Sequence, residues 1–415
     1  MNRAPIVPML NYHSIADVND GWLFRHLSCP VSAFESHLKA LRWAKFQTVS
    51  LQRLYAYMAE GKEIPSRSVV LTFDDGYLDN WVYVYPLLKK YGFCGTIFVN
   101  PDFVDPSEAL RPNLEDVWSG KASARELQPS GFLSWQEMRV MESSGHIDVQ
   151  SHSLTHTWYF SSAEIIDFHH PGDPYPWLAW NACPERKYLW MAEDQHTFVR
   201  WGVPVYHHEK SLTTRRYLPD LDLDAVLADH VSNHGSETFF QLPDWRQRLE
   251  QLAAVFRQAH GDRGRLESDA EYRARLHHEL AESRRIIEKQ LNKKVEFLCW
   301  PGGGYTDLSV EVSREVGYLA SQEITPDGSI KRNRFGEDPS TWGRVFAPSF
   351  RYTETEVQYL GGLHFLVLLY LVRGSYLDAI LYKALRIPLK LSGWLKKHGQ
   401  DMRRSVREQP QRADA

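Results

Sequence analysis

Residues 68–77 read Ser-Val-Val-Leu-Thr-Phe-Asp-Asp-Gly-Tyr, and this stretch constrains the fold more than any other. The run Val69–Phe73 is apolar and β-prone and stops at Asp74, Asp75 and Gly76, the pattern of a buried strand ended by a turn. Neighbouring side chains on a regular strand point to opposite faces. Both carboxylates reach one site only if the backbone turns there, and Gly76 permits such a turn. Two carboxylates in one site repel, so at neutral pH they need a cation or a shared proton. On its own, Asp-Asp-Gly equally describes a solvated loop, and the rest of the chain must decide.

The segments on either side alternate in character. Ile6–Tyr12, Gly95–Val99, Ile147–Gln150, Val295–Cys299 and Tyr318–Ser321 are predicted strands, with Arg344–Phe346 a last one. Residues 31–44, Gln52–Met58, Leu78–Tyr91, Ser134–Ser143, Asp269–Gln290 and Leu308–Val316 are predicted helices. Gly92 ends one of them, and Ser134 with Glu137 makes an N-terminal capping pair for another. Strands alternating with helices imply βαβ units and a parallel sheet. His13, Asp74 with Asp75, His152 and the Pro301 turn all follow predicted strands. A barrel of such units gathers its strand C-termini on one face, where loops build the active site.

Residues 157–265 break that rhythm. They are rich in Trp, His, Tyr and Pro, with few clean strands and a helix at Asp244–His260. This segment is expected to be an insertion, shaping a site or elaborating the structure, within a barrel spanning residues 1–350.

The 415 residues suffice for one large α/β domain with extras, or for two domains. A formal net charge of −4 argues against nucleic acid as a general partner. The 14 Trp and 20 Tyr suit stacking on sugar rings, although they serve cores equally well. Cys29, Cys94, Cys183 and Cys299 form no CxxC pair, so neither a zinc ribbon nor a thioredoxin-like motif is expected. Met1–Ile6 lacks the apolar core of a secretory signal, which makes a cytoplasmic location the expectation.

Residues 351–415 are expected to form a helical, basic extension. Leu360–Val372 is too short to span a bilayer. Tyr376–Leu391 is apolar with Lys383, Arg386 and Lys390 interspersed, and Lys396, Lys397, Arg403, Arg404 and Arg407 follow. Such a sequence suits a helix in a membrane interface, here the inner face of the cytoplasmic membrane, or helices packed on the barrel or on a partner subunit.

His152 and His156 are spaced i, i+4, which on a helix would put both imidazoles on one face, able to share a metal ion. Joined to Asp-Asp at a strand end, they become a His-His-Asp set. One carboxylate completes three protein ligands and leaves a position open for water, as in catalytic sites. The other carboxylate, beside the metal but not on it, can take the proton from that water.

Thr72-Phe73-Asp74-Asp75-Gly76 followed by His152-Ser153-Leu154-Thr155-His156 resembles the first two motifs of the polysaccharide deacetylase family, carbohydrate esterase family 4 with its NodB homology domain. The resemblance runs from Leu10-Asn11-Tyr12-His13 to about Tyr318, interrupted by the insertion. It implies a distorted (β/α) barrel that hydrolyses an N-acetyl group on an amino sugar, as in surface-glycan, lipopolysaccharide or lipid-linked glycan assembly. It also implies Asp74 as catalytic base, and Asp75, His152 and His156 as ligands of a divalent metal, usually zinc.

The family's third motif supplies an oxyanion-hole N–H after a proline. Here Pro301 is present, Gly302 replaces the aromatic residue, and no Arg precedes it. Gly302 is thus the expected oxyanion donor, with His13, Pro301 and Tyr305 expected at the substrate. Asp338 and Trp342 match the spacing of the fourth motif. The general acid is not evident: His364 follows Leu360 and Leu363, and His207 or His208 of the insertion are alternatives. The rival functions are a deformylase or other amidase on a non-sugar amide, and a catalytically lapsed barrel that only binds glycan.

Overall fold

The computed structural model describes residues 4–17, 24–322, 331–351 and 357–385. Its strands, in chain order, are β1 (Met9–Tyr12), β2 (Gln47–Thr48), β3 (Ser68–Phe73), β4 (Gly95–Val99), β5 (Ile147–Ser151), β6 (Trp158–Phe168), β7 (Pro204–Lys210) and β8 (Tyr217–Leu218). They continue with β9 (Arg265–Leu266), β10 (Phe297–Leu298), β11 (Ala320–Gln322), β12 (Thr341–Trp342), β13 (Val345–Phe346), β14 (Ser349–Arg351) and β15 (Val357–Tyr359).

Nine of these form one sheet in the order β12-β11-β10-β5-β4-β3-β1-β13, with β2 also paired to β3. Every pairing within it is parallel, as the alternation of helices and strands predicts. β12 and β13 lie at opposite ends of that order, yet only Gly343 and Arg344 separate them in the chain. Trp342 and Val345 are therefore at most about 11 Å apart. The sheet has to curl until its edges nearly meet, which makes a distorted (β/α) barrel. Its seam is crossed by the chain.

Two-residue alternation along the strands sorts the core. Val69, Leu71 and Phe73 of β3, with Ile97 and Val99 of β4, belong to the large apolar cluster that contains the outer helices. Val70 and Phe98, out of phase with them, pack with Met9, Phe297 and Trp342 in a second cluster. Thr72 and Asp74 continue the phase of Val70, which aims Asp74 along the barrel interior.

The expected helix caps form. Ser134 and Glu137 make a full capping box, and Gly92 closes its helix at φ 71°. The predicted helix Leu78–Tyr91 instead opens with a π-helical turn, Asn80–Val84, before the α-helix Tyr85–Tyr91.

The segment between β5 and the long helix Asp269–Leu291 contains more sheet than its sequence suggests. β6 and β7 pair as an antiparallel hairpin with register shifts between Phe160 and Asp167. β8 and β9 form a second pair, and helices Pro176–Ala182, Leu221–Asn233 and Trp245–His260 complete the segment. It packs Trp177, Trp180 and Val205 against Tyr77, Phe103 and Phe132 of the barrel, and has a second apolar cluster of its own around Phe168, Leu227 and Leu249.

The helix Gly362–Val372 packs against the helix Val31–Trp43. A Cβ on Gly362 would stand 2.6 Å from Ser36 O, so glycine sets this close approach. The helix Tyr376–Leu385 follows. The basic residues Arg386, Lys390, Lys396, Lys397, Arg403, Arg404 and Arg407 lie outside the described residues.

Candidate active site

The two carboxylates part where β3 ends. Asp74 stays in the strand's register, and its N–H bonds to Tyr12 O at 3.0 Å. The turn begins one residue earlier than expected, because Asp75 itself has φ 73° and Gly76 follows at 70°. Asp is among the few side chains that tolerate this left-handed region. The reversal brings the Asp75 carboxylate towards the end of β5.

His152 and His156 leave β5 in a loop, not on the helix that their spacing suggested. Ser153 and His156 have φ of 66° and 41°. Buried bonds hold this strained path. Asn100 Nδ2 donates to His152 O and, at 3.3 Å, to Ser153 O. The Thr155 N–H and hydroxyl both donate to Glu279 Oε1 at 2.7 Å. Lys187, from the insertion, donates to Thr155 O and Asp102 Oδ2, each at 3.0 Å.

Asp75 Oδ1 lies 3.3 Å from His152 Nε2 and 3.4 Å from His156 Nε2. It is buried and makes no hydrogen bond. His152 Nδ1 is 2.8 Å from Cys299 O, which places a proton on Nδ1 and turns Nε2 to the carboxylate. Burial pushes the His156 imidazole down to about 4, so it is neutral at pH 7, whereas the His152 imidazole, despite its burial, is pushed up by Cys299 and by the Asp75 and Asp74 carboxylates. The Asp75 oxygen and the two imidazole nitrogens converge on one point and call for positive charge there, which a proton on His152 or a cation in its place supplies. The three residues therefore fit a divalent metal, with the Cys299 carbonyl orienting one ligand from behind.

Asp74 is engaged differently. Arg344 grips both of its oxygens, Nη1 to Oδ1 at 2.7 Å and Nη2 to Oδ2 at 2.8 Å. The same guanidinium reaches Thr72 Oγ1 at 3.1 Å, Gln322 Oε1 at 2.5 Å and Cys299 Sγ at 2.9 Å. Burial alone would raise the Asp74 carboxyl, but Arg344, helped by His152 and His13, outweighs it and holds the group below the usual carboxylate range. Sequence reasoning missed Arg344. It is a lone residue in the two-residue crossing of the seam, and no motif marks it.

These groups open into a cavity of about 510 Å³. His13 and Pro301 line it, as expected, and so do Gly302 and Lys210. His13 Nε2 stands 3.8 Å from Asp74 Oδ2, and its ring stacks on Phe346. Trp158, Trp180 and Trp190 of the insertion supply aromatic wall. Gly302 has φ 55°; Gly303 and Gly304 donate to Trp300 O and Pro301 O, and the Gly302 N–H takes no part in that pattern. Lys210, at the end of β7, donates to Gly302 O at 2.6 Å and ties the insertion to this loop.

Four other expectations do not hold. Tyr305 is absent from the cavity lining, because the glycine turn carries it round to pack beside Trp300. His207 bonds to Ser161, and His208 packs on Trp177, so neither reaches the cavity. His364 lies on the helix Gly362–Val372, away from the lining. Asp338 caps its own turn through Ser340, while Trp342 is buried against Phe297.

Residues 61–190, which contain Asp74, Asp75, His152 and His156, match the family model described as polysaccharide deacetylase. That segment is similar to a polysaccharide deacetylase domain. A relative in Bacillus subtilis (strain 168), described as putative polysaccharide deacetylase YxkH, is 39% identical over 150 residues, 36% of this chain and 43% of that one. The poly-beta-1,6-N-acetyl-D-glucosamine N-deacetylase of Escherichia coli (strain K12) is 26% identical over 144 residues, 35% of this chain and 20% of the other. That of Staphylococcus aureus (strain MSSA476) is 32% identical over 139 residues, 31% of this chain and 46% of the other. The chain thus spans less than half the length of each of these relatives. The solved de-N-acetylase from Aggregatibacter actinomycetemcomitans superposes with a TM-score of 0.50 at 18% identity, covering 82% of this chain and 94% of that one, a likeness of fold.

Proposed function

We propose that the chain is a metal-dependent hydrolase that removes the N-acetyl group from an amino sugar of a surface glycan, lipopolysaccharide or lipid-linked glycan precursor. One observation carries this reading: a buried Asp75 oxygen without a hydrogen bond faces two imidazole nitrogens, beside an Asp74 that Arg344 holds ionised. The relatives described as N-deacetylases of poly-beta-1,6-N-acetyl-D-glucosamine support the substrate class. A divalent cation held by Asp75, His152 and His156, zinc by the donor set, would polarise the amide carbonyl and acidify a water.

Asp74 accepts the proton of the attacking water, in the ionised form that a base needs. The Gly302 N–H, at the cavity wall, donates to the carbonyl oxygen as charge builds there. The C–N bond then breaks, and the nitrogen must gain a proton as it leaves. His13 lines the cavity beside Asp74 and fills this role, which the sequence left open. The Trp walls stack on pyranose faces and exclude water.

Metal analysis and an acetate-release assay test this reading together. Asp75→Asn is expected to lose the metal. Asp74→Asn is expected to keep it and to lose about 10²- to 10⁴-fold in turnover. Wild-type acetate release from both variants would refute the assignment.

A further inference from the structure

Trp180 and Trp190 line a second cavity as well, of about 820 Å³, and so form a wall shared with the catalytic one. Asp79, four residues after Asp75 in the chain, also lines it. The two cavities therefore flank one loop. The second has a distinct charge. Asp17, Asp79, Asp173, Glu193 and Asp194 line it, and no Lys or Arg does among the described residues.

Two of those carboxylates have partners. Asp173 faces His169 Nδ1 at 2.6 Å, and Glu193 pairs with Arg186. Both ring nitrogens of His169 are occupied, Nε2 by His196 O at 2.8 Å, so within the His169–Asp173–His196 cluster only the His196 imidazole, 4.0 Å from Asp173 Oδ1, is left to a ligand. Asp17, Asp79 and Asp194 have no ion pair with a described residue. Asp79 is buried and accepts from neutral donors, the Ser14 hydroxyl, the Ile15 N–H and Asn80 Nδ2.

A second, independent feature points to a ligand. Gln195 lines the cavity and is 6% exposed. Its amide nitrogen donates to Arg186 O at 2.8 Å, which fixes the orientation of the amide, and its Oε1 has no partner. Carboxylates without cations, a fixed acceptor without a donor, and indole walls together ask for a ligand that carries positive charge, N–H or O–H donors and a flat apolar face.

We propose that this cavity is a second sugar subsite, taking an amino-sugar unit that already bears a free, protonated amine. The inference rests on the proposed de-N-acetylation, whose product is such a unit, and it adds that the chain recognises a neighbour that has already lost its acetyl group. Selectivity then comes from the charge the reaction itself creates.

Calorimetric titration of the full chain tests this with two probes, a β-1,6-linked N-acetylglucosamine pentamer and its partly de-N-acetylated counterpart. The partly deacetylated pentamer is expected to bind about fivefold more tightly at low salt, with the difference shrinking as ionic strength rises. Asp17→Asn combined with Asp194→Asn, two exposed positions, should abolish the difference, which separates this cavity from any attraction of the amine to Asp74. Equal or weaker binding of the amine-bearing pentamer, or a difference that survives the double substitution, overturns the proposal. Binding is read without turnover. A chain that releases no acetate from either pentamer would refute the catalytic reading, while the titration still decides the subsite.

Discussion

Arg344 fixes the two oxygens of Asp74 and also keeps the carboxyl ionised. Asp74 gives up its proton more readily in the fold than in the unfolded chain, where its pKa is about 3.9. Its contribution to stability is therefore complete above that value and is lost as pH falls through the lower, folded one. Arg344→Lys keeps a positive charge but removes the two-pronged grip. The acid limb of its kcat/KM profile should move to higher pH, with kcat down about tenfold and KM little changed. An unshifted acid limb would show that Arg344 does not tune Asp74. At this scale, Asp74, Asp75, His152 and His156 were legible because short local motifs at strand ends carry them. Arg344 was not, because it meets Asp74 only once the whole sheet has curled. Tyr305 was misplaced because nothing local announces which way three glycines will turn the chain.

Among the elements, the contact between the helices Val31–Trp43 and Gly362–Val372 has a polar pin. His37 is wholly buried there, with Nε2 donating to Leu360 O at 2.6 Å and Nδ1 accepting from Tyr12 Oη at 3.0 Å. Both bonds suit the neutral ring, and burial pushes its pKa down to about 4. Because the folded value lies below that of the unfolded chain, about 6.5, the fold is at full strength above pH 6.5 and weakens as pH falls towards 4. The loss is on the order of 3 kcal/mol at the acid end. Urea denaturation of His37→Gln should show a flatter stability profile across that window, and an unchanged slope would mean that another group titrates there. The alternation that predicted the parallel strands works because strands such as β3 and β4 bury alternate residues in two different clusters. The long strand β6 stayed hidden for the opposite reason. Its pairing with β7 slips between Phe160 and Asp167, so no two-residue period survives in its sequence.

For the molecule as a whole, the C-terminal helices leave Leu363, Ile380 and Leu381 exposed at 61%, 52% and 43%. Among the described residues, no helix is long and apolar enough to cross a membrane. Exposed apolar side chains followed in sequence by Arg386, Lys390, Lys396 and Lys397 support attachment to an anionic membrane surface. Co-sedimentation with phosphatidylserine-containing vesicles should fall severalfold when the three apolar residues become Ser, and in high salt. Equal sedimentation of the variant would assign this face to protein contacts instead. The seam of the barrel has a consequence for how the protein is made. The three residues proposed to hold the metal are all translated by residue 156, whereas the guanidinium that grips Asp74 comes 188 residues later, at 344. The loop that carries His152 and His156 is itself held by Glu279 and Cys299, so on a nascent chain neither the proposed ligand set nor the grip on Asp74 is complete until the later strands of the barrel are made.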